Sequence, residues 1–335
     1  MAKRRAAADG EGVLIATYFA PLAADAPGAF SLLDDCAALT PTPGHDLILK
    51  TDPIREGVHF FSDADAADIA WKALAVNVSD LVAKGARPVG YVMALSFPEE
   101  PSARWLKKFA AGLKAAQTAF GLTLLGGDTD RAPGPLSVAI TAFGEVPAGK
   151  MVQRGTARVG DRVFVSGTLG DAALGLALVK RPLAAIEMRL LSHQCDFVMD
   201  RYDRPTPRVA LAPLLLAHAS ASMDISDGLL KDAGRMADAS GVALAMEFER
   251  LPLSDAMTRA LAANAERMRD VVAHGDDYEV LFTVPEAGVA TFVSAARALP
   301  FRMTEIGVVK KGAGAVIAGA DGKPLVFDKS GYEHF

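Results

Sequence analysis

The chain has 335 residues, 51% hydrophobic and 22% charged, enough for two domains with substantial cores and too apolar for wholesale disorder. Its 35 Lys and Arg against 40 Asp and Glu leave a formal charge of -5, which argues against a general nucleic-acid binder but allows a small anionic substrate held with metal ions. Cys36 and Cys195 are the only cysteines, too few for a disulfide framework or a thiolate metal cage. No apolar run approaches the roughly 18–20 residues that span a bilayer. The basic start MAKRRAAADGEG lacks the apolar stretch of a signal peptide, so a soluble, cytoplasmic protein is expected.

Residues 13–24 (VLIATYFAPLAA) read as one short amphipathic helix ended near Pro27-Gly28. Leu47-Ile48-Leu49 is a brief strand leading into a turn-like Thr51-Asp52-Pro53. Apolar residues at Ile69, Ala73, Val76 and Leu81 predict a helix over 66–83. A strand over 89–96 stops at Pro98, and a helix follows over 102–120, with Ser102 as its N-cap and Gly121 ending it. Residues 122–125 and 136–143 are strands. Pro147-Ala148-Gly149 is the linker candidate, because strand patterning restarts at 161–165; the expected domains are 1–148 and 149–335. In the second, helices are predicted over 171–180, 208–218, 228–240 and 254–265, and strands over 242–247, 279–284 and 302–308. Both halves are mixed α/β (α+β), without internal repeats or low-complexity segments.

The placement of Asp is more informative than its amount. It recurs beside Gly, Ser or Thr at junctions of strand-like and helix-like segments: Asp34-Asp35, Thr51-Asp52, Ser79-Asp80, Gly126-Gly127-Asp128-Thr129-Asp130, Gly170-Asp171, Asp224-Ile225-Ser226-Asp227-Gly228 and Gly275-Asp276-Asp277. Converging turns of this kind make an all-oxygen pocket suited to Mg²⁺, and no His/Cys cluster competes for a softer metal. Each turn alone also reads as ordinary cap or turn chemistry. Asp80 and Asp224 stand apart because their neighbours are apolar, where an uncompensated carboxylate is costly. Gly126-Gly127 and Gly167-Thr168-Leu169-Gly170 offer backbone N–H groups to phosphate, without matching a Walker A or dinucleotide fingerprint. There is no nucleophile elbow for acyl chemistry.

In order, these motifs resemble the thiamine-monophosphate kinase family, grouped with aminoimidazole ribonucleotide synthetase and selenophosphate synthetase. The segments that carry the resemblance are TDPIREGVHF (51–60), WKALAVNVSDLVAKGARP (71–88), LLGGDTDRAPGPLSVAITAFGEVP (124–147), DISDGLLKDAG (224–234) and GDDYEVLFTVP (275–285). The resemblance implies a two-domain aminoimidazole ribonucleotide synthetase-like fold. Its N-terminal domain would bind ATP and Mg²⁺ and pair across a homodimer. It implies ATP as co-substrate, several Mg²⁺ ions, thiamine monophosphate as acceptor and thiamine diphosphate as product. Carried over by motif, Asp35, Thr51, Asp52, Asp80, Asp128, Asp224 and Asp227 are the metal ligands, with Asp52, Asp80, Asp128 and Asp224 central to catalysis. Gly127, Asp128, Arg154 and Ser226 would contact ATP; His59 and Asp276 would contact the thiamine phosphate.

Three positions depart from the family pattern. Leu33 stands where Gly usually precedes the paired aspartates, Lys50 where a hydroxyl residue commonly joins the metal site, and Lys329 where an aromatic residue can cover the substrate. The chemistry implied is self-consistent: the acceptor phosphate is already ionised, so no general base is needed, and charge neutralisation with alignment is what remains. Another ATP-using reaction of the same superfamily is the alternative. Selenophosphate synthesis is disfavoured by the absence of a Cys in the N-terminal glycine-rich region, and a hydrogenase-maturation role by the closing His334-Phe335. A non-catalytic nucleotide-sensing scaffold would have no need for so many metal-binding carboxylates.

Overall fold

The computed structural model describes residues 10–328 and 331–332. The chain divides into two compact units, one comprising residues up to Leu81 together with Arg87–Gly149, the other Val82–Ala86 and Lys150 onward.

The first unit is built on a four-stranded sheet in the order β1-β4-β2-β3, formed by β1 (His45–Arg55), β2 (Arg87–Phe97), β3 (Thr123–Arg131) and β4 (Ser137–Pro147). β4 is antiparallel to both β1 and β2, whereas β2 and β3 are parallel. Two sequence expectations change here. Thr51-Asp52-Pro53 is no turn but part of an unbroken β1, paired Thr51 to Thr141 and Pro53 to Ala139. Proline is tolerated because β1 lies at the sheet edge. Likewise Gly126–Asp130 continue β3, with Asp128 opposite Ala94 of β2; the parallel partner supplies the hydrogen bonds that a turn would otherwise have to find.

Helices α1 (Ala66–Ala83) and α2 (Ala103–Phe120) complete this unit, α1 giving its last two residues to the second one. Ser102 caps α2 by accepting from the Trp105 N–H at 3.2 Å, and Gly121 ends it at φ 75°. α1 is buried on almost every side, from Ile69 through Val82, with Lys72, Asn77 and Ser79 buried among its apolar residues, as its Ala-rich, mostly apolar composition requires. The two helices meet at Gly112, where a β-carbon would lie 2.3 Å from the Ala67 carbonyl oxygen, and at the edge-to-face pair Trp71–Phe120. The helix expected over 13–24 is present as one right-handed run that changes type along its length, α over Glu11–Leu14, π over Ile15–Phe19 and 3-10 over Ala20–Ala23. Pro21 lacks an N–H and clashes with the preceding turn, and the Leu22 carbonyl is met by the Gln117 side chain at 3.1 Å.

The second unit carries a six-stranded sheet in the order β10-β7-β9-β5-β8-β6. Its strands are β5 (Arg162–Ser166), β6 (Ala221–Ile225), β7 (Ala243–Glu247), β8 (Glu279–Val284), β9 (Met303–Lys310) and β10 (Gly314–Ala318). Only the β10–β7 pairing is parallel. The helices are α3 (Asp171–Lys180), α4 (Ser192–Asp203), α5 (Ala212–His218), α6 (Leu229–Ser240), α7 (Asp255–Ala263) and α8 (Val289–Ala296). Phe164, Phe282 and Phe292 form an aromatic cluster with centroids 5.2–5.6 Å apart. No helix among the described residues is long and apolar enough to cross a membrane.

The α1–α2 contact gives a direct test. Alanine is the better helix former by about 1 kcal/mol, yet Gly112→Ala drives a methyl group into the Ala67 backbone. Overpacking of this kind costs about 1–3 kcal/mol, so the expected result is net destabilisation in urea unfolding, where an unpacked helix would be stabilised.

Candidate functional site

Within the first unit, the strand period of two puts Lys50 and Asp52 on one face of β1 and Thr51 on the other. Asp80 reaches the Lys50–Asp52 face from α1. The Lys50 ammonium stands between the two carboxylates, 2.9 Å from Asp52 Oδ2 and 2.7 Å from Asp80 Oδ2. Burial alone would lower the Lys50 pKa, but Asp80 and Asp52 together hold it above the usual lysine range. The Asp52 main chain is clamped from α1 by Asn77: its N–H donates to Asn77 Oδ1 at 2.8 Å, and the Asn77 amide donates to its carbonyl at 3.2 Å. Asn77 is fully buried and lies one turn before Asp80, so a single helical face positions both carboxylates. Asn77 is not among the site residues expected from the sequence; a neutral amide within the apolar stretch Leu74–Val78 is its signal.

The Thr51 hydroxyl is on the opposite side of the sheet, donating to the Ile140 carbonyl at 3.0 Å and accepting from Thr141 at 3.1 Å. Asp128 is exposed on β3, next to Gly127. A β-carbon at Gly127 would fall 2.0 Å from the Met93 carbonyl oxygen, so glycine there is required by close strand approach. Asp35 is exposed just beyond Pro27–Leu32, a turn packed against β3. Leu33, at φ -105°, adopts a conformation open to any residue. His59 lies in the loop closing β1, where its Nδ1 accepts from the Arg55 N–H at 3.0 Å. That bond places the ring proton on Nε2 as a donor.

In the second unit the structure gathers Asp224, Ser226, Asp227 and Asp276. Asp224 is buried on β6, and Ser226-Asp227-Gly228 turn into α6. Both the Ser226 and Asp227 N–H groups donate to Asp232 Oδ2, at 3.0 and 2.9 Å. Burial, reinforced by the Asp227 charge, pushes the Asp232 carboxyl up to about 6 against the pull of those bonds and of Arg235. Asp227 itself pairs with Arg235 at 2.7 Å and Lys231 at 3.6 Å. Asp276 sits at φ 69° and Tyr278 at φ 50°, a conformation disfavoured for side-chain-bearing residues. The turn is held to the β6 end by Asp276 N–H to the Ser226 carbonyl and Tyr278 N–H to the Ile225 carbonyl, each 2.9 Å. Gly275 is obligatory, since a β-carbon would approach the Ser226 carbonyl oxygen to 2.2 Å.

Two expectations fare differently. The exposed Arg154 is anchored through its carbonyl, which accepts from the Ser240 hydroxyl at the C-terminal end of α6, the end opposite the Ser226 turn. The Gly167–Gly170 loop is filled by protein: the Gly170 N–H donates to both oxygens of Asp277 at 3.0 Å, and Leu169 and Gly167 donate to main-chain carbonyls. It has no N–H cradle left for phosphate. Asp277 is fully buried and its pKa is raised by that burial. Beside it, buried Glu279 accepts from Ser166 at 2.5 Å, Arg201 at 2.8 Å and Arg208. Lys329 lies outside the described residues. A groove lined by Tyr18, Arg104, Lys107 and Lys108 on α2 contains none of these acidic residues.

The donor chemistry fits a hard divalent cation. Asp52 and Asp80 already converge on a positive charge, and Mg²⁺ is commonly bound by one or two carboxylates, with substrate phosphates and water completing the shell. No group of three or more His, Cys, Asp or Glu among the described residues is arranged to hold a metal by itself; a site relying on substrate oxygens does not require one.

The sequence matches the models for AIR synthase related protein, N-terminal domain, over residues 33–146, and AIR synthase related protein, C-terminal domain, over 158–319. It is 39% identical to the thiamine-monophosphate kinase of Salmonella typhimurium over 97% of this chain and 98% of that one. Among solved structures it is similar to thiamine-monophosphate kinase from Stenotrophomonas maltophilia, with TM-score 0.79 and 39% identity over 88% of this chain and 91% of that one. It is also similar to AaThiL complexed with AMPPCP and TMP, with TM-score 0.76 and 32% identity over 92% and 97%.

Two predictions follow from the local geometry. Asn77→Ala strands the Asp52 N–H without its acceptor, which costs about 1–3 kcal/mol and is read as a lower urea midpoint at unchanged slope. Burial holds His274 below the usual imidazole range, so the unfolded chain takes up a proton there before the folded one does. Stability therefore rises with pH through the range near 6.5, and His274→Gln is expected to flatten the melting-temperature profile between about pH 5 and 7.

Proposed function

The chain belongs to the thiamine-monophosphate kinase family of AIR synthase related proteins, and we propose that it transfers the γ-phosphoryl group of ATP to thiamine monophosphate, giving thiamine diphosphate and ADP. The observation that carries this reading is the set of carboxylates held by two separate scaffolds: Asp52 and Asp80 on β1 and α1, and Asp224 and Asp227 at the β6–α6 turn. Both sets lie in segments that carry the family motifs.

The acceptor oxygen belongs to a phosphate that is ionised at neutral pH. It attacks the γ-phosphorus as the bond to the β-phosphate oxygen breaks, so no protein nucleophile or base is called for. The obstacle is repulsion between two polyanions and their alignment. Asp35, Thr51, Asp52, Asp80, Asp128, Asp224 and Asp227 are the proposed holders of Mg²⁺, Thr51 through its main chain because its hydroxyl is engaged with Thr141 and Ile140. Bound Mg²⁺ supplies charge neutralisation and phosphate alignment. Gly127, Asp128, Arg154 and Ser226 are proposed to contact ATP, and His59, donating from Nε2, to bind the acceptor phosphate. Asp276 is proposed to bind the thiamine moiety from a turn whose main chain is fixed to Ser226.

The same reading assigns ATP and metal binding to residues 1–148, with 149–335 as the second α/β domain, in a cytoplasmic homodimer paired through the N-terminal sheet. Edge strand β1, on which Leu49 is 63% exposed, supports the pairing.

Incubation with ATP, Mg²⁺ and thiamine monophosphate is expected to yield thiamine diphosphate on chromatography, with little turnover of unphosphorylated thiamine and none in chelator. Asp128→Asn, at an exposed position with no packing role, should fold normally and lose about 10²–10³ in rate. Brisk product from free thiamine but none from the monophosphate would overturn the reading.

A further inference from the structure

A metal site built from paired carboxylates poses a problem before the metal arrives, because two like charges a few ångströms apart repel. In this chain the pair is not left facing itself. Lys50 precedes Asp52 by two residues, so the pleat of β1 aims both side chains the same way. Its ammonium makes one close contact to each carboxylate, 2.9 Å to Asp52 Oδ2 and 2.7 Å to Asp80 Oδ2. The side chains are 28% exposed for Lys50 and Asp80 and 45% for Asp52, so water screens the Lys50–Asp80 contact less than the Lys50–Asp52 one. The Asn77 clamp fixes the Asp52 main chain, and α1 fixes Asp80. Lysine therefore bridges two acids whose main chains are set by other bonds, and its two contacts hold the carboxylate groups themselves.

We propose that the Lys50 ammonium is a tethered, resident cation of the Asp52–Asp80 pair, which holds the two carboxylates in place without metal and competes with a divalent ion for them. The inference rests on the reading of Asp52 and Asp80 as metal-holding residues. It adds that this chain supplies part of the positive charge of the site itself, and that metal must displace an internal partner to occupy this pair. An ammonium is a point charge on a flexible stem, so it can swing aside while β1 and α1 stay as they are.

The test compares the full-length wild type with Lys50→Thr and Lys50→Met, neither of which supplies a cation. In chelator, both variants should melt about 1–4 °C lower than wild type, the span expected when a partly exposed charge pair loses its partner. Added Mg²⁺ should raise their melting temperatures more than that of wild type, while Na⁺ at matched ionic strength should not. Mn²⁺ titration followed by electron paramagnetic resonance should show at least about tenfold tighter binding at one site in both variants. Identical Mn²⁺ isotherms and identical Mg²⁺-dependent melting in wild type and variants would overturn the inference. Product formation from thiamine monophosphate, measured on the same samples, separates the two readings. Variants that make thiamine diphosphate but bind and melt like wild type sink the resident cation alone, whereas the shifts without any product from wild type sink the kinase reading alone.

Discussion

Every feature around the two scaffolds answers one constraint, the mutual repulsion of carboxylates concentrated in a small space. The chain solves it differently at each acid. Asp52 and Asp80 share the Lys50 ammonium. Asp227 is matched by Arg235 and Lys231 from the first two turns of α6. Asp232 and Asp277 are met mainly by backbone N–H groups, and Glu279 by Arg201, Arg208 and Ser166. The pairing separates acids by exposure. Partly exposed Asp52, Asp80 and Asp227 are held by cations that solvent and ligands can replace. The wholly buried Asp232, Asp277 and Glu279 are held by fixed donors whose loss would leave an uncompensated charge.

This separation explains the composition of the segment GDDYE. Its three acids look interchangeable in sequence, yet they perform distinct tasks. Asp276 sits in a left-handed turn, half-buried, and accepts from the Tyr278 hydroxyl at 3.3 Å. Asp277 is spent on the Gly170 N–H at the start of α3, and Glu279 anchors β8 to arginines from α4 and the chain leading into α5. Two non-glycine residues at positive φ cost on the order of 1–3 kcal/mol each. Buried Asp277 and Glu279, which follow Asp276 in the chain, together with the bonds to Ser226 and Ile225, hold the turn in this conformation.

Much of this was legible in the sequence. The helices Ala66–Ala83 and Asp171–Lys180 and the strand Glu279–Val284 were all readable from apolar spacing, as was the Ser102 cap. The errors share a cause. Turn residues beside aspartate suggested turns at Thr51-Asp52-Pro53 and Gly126–Asp130, where tertiary pairing made strands. Local chemistry cannot reveal that a neighbouring strand will supply the hydrogen bonds. α4 escaped notice because its exposed face includes Phe197 while its buried face carries Gln194 and Arg201, which blurs the helical period. Asn77 is one of several polar residues in α1, and its task, clamping the Asp52 main chain, is visible only once β1 lies beside it. The Gly167–Gly170 loop had the composition of a phosphate cradle, but its occupant is Asp277, more than a hundred residues away in the chain.

The contrast between the two glycine-rich segments shows what decides whether such a loop faces a ligand. Gly127 is needed because the Met93 carbonyl oxygen approaches where a side chain would begin, and its neighbour Asp128 remains exposed. Gly167 is needed because buried Glu279 and Arg208 fill the same kind of space. In both, glycine makes room for a close approach. In the first the close partner is an adjacent strand, and the acid beside it faces outward, so the chain brings a carboxylate to the surface on a rigid element. In the second the close partners are a buried acid and its arginine, and the neighbouring Gly170 N–H is spent on a further buried acid. Glycine-rich composition therefore marks close packing in both places, and the partner of the backbone separates a strand that carries an exposed acid from a loop filled by buried ones.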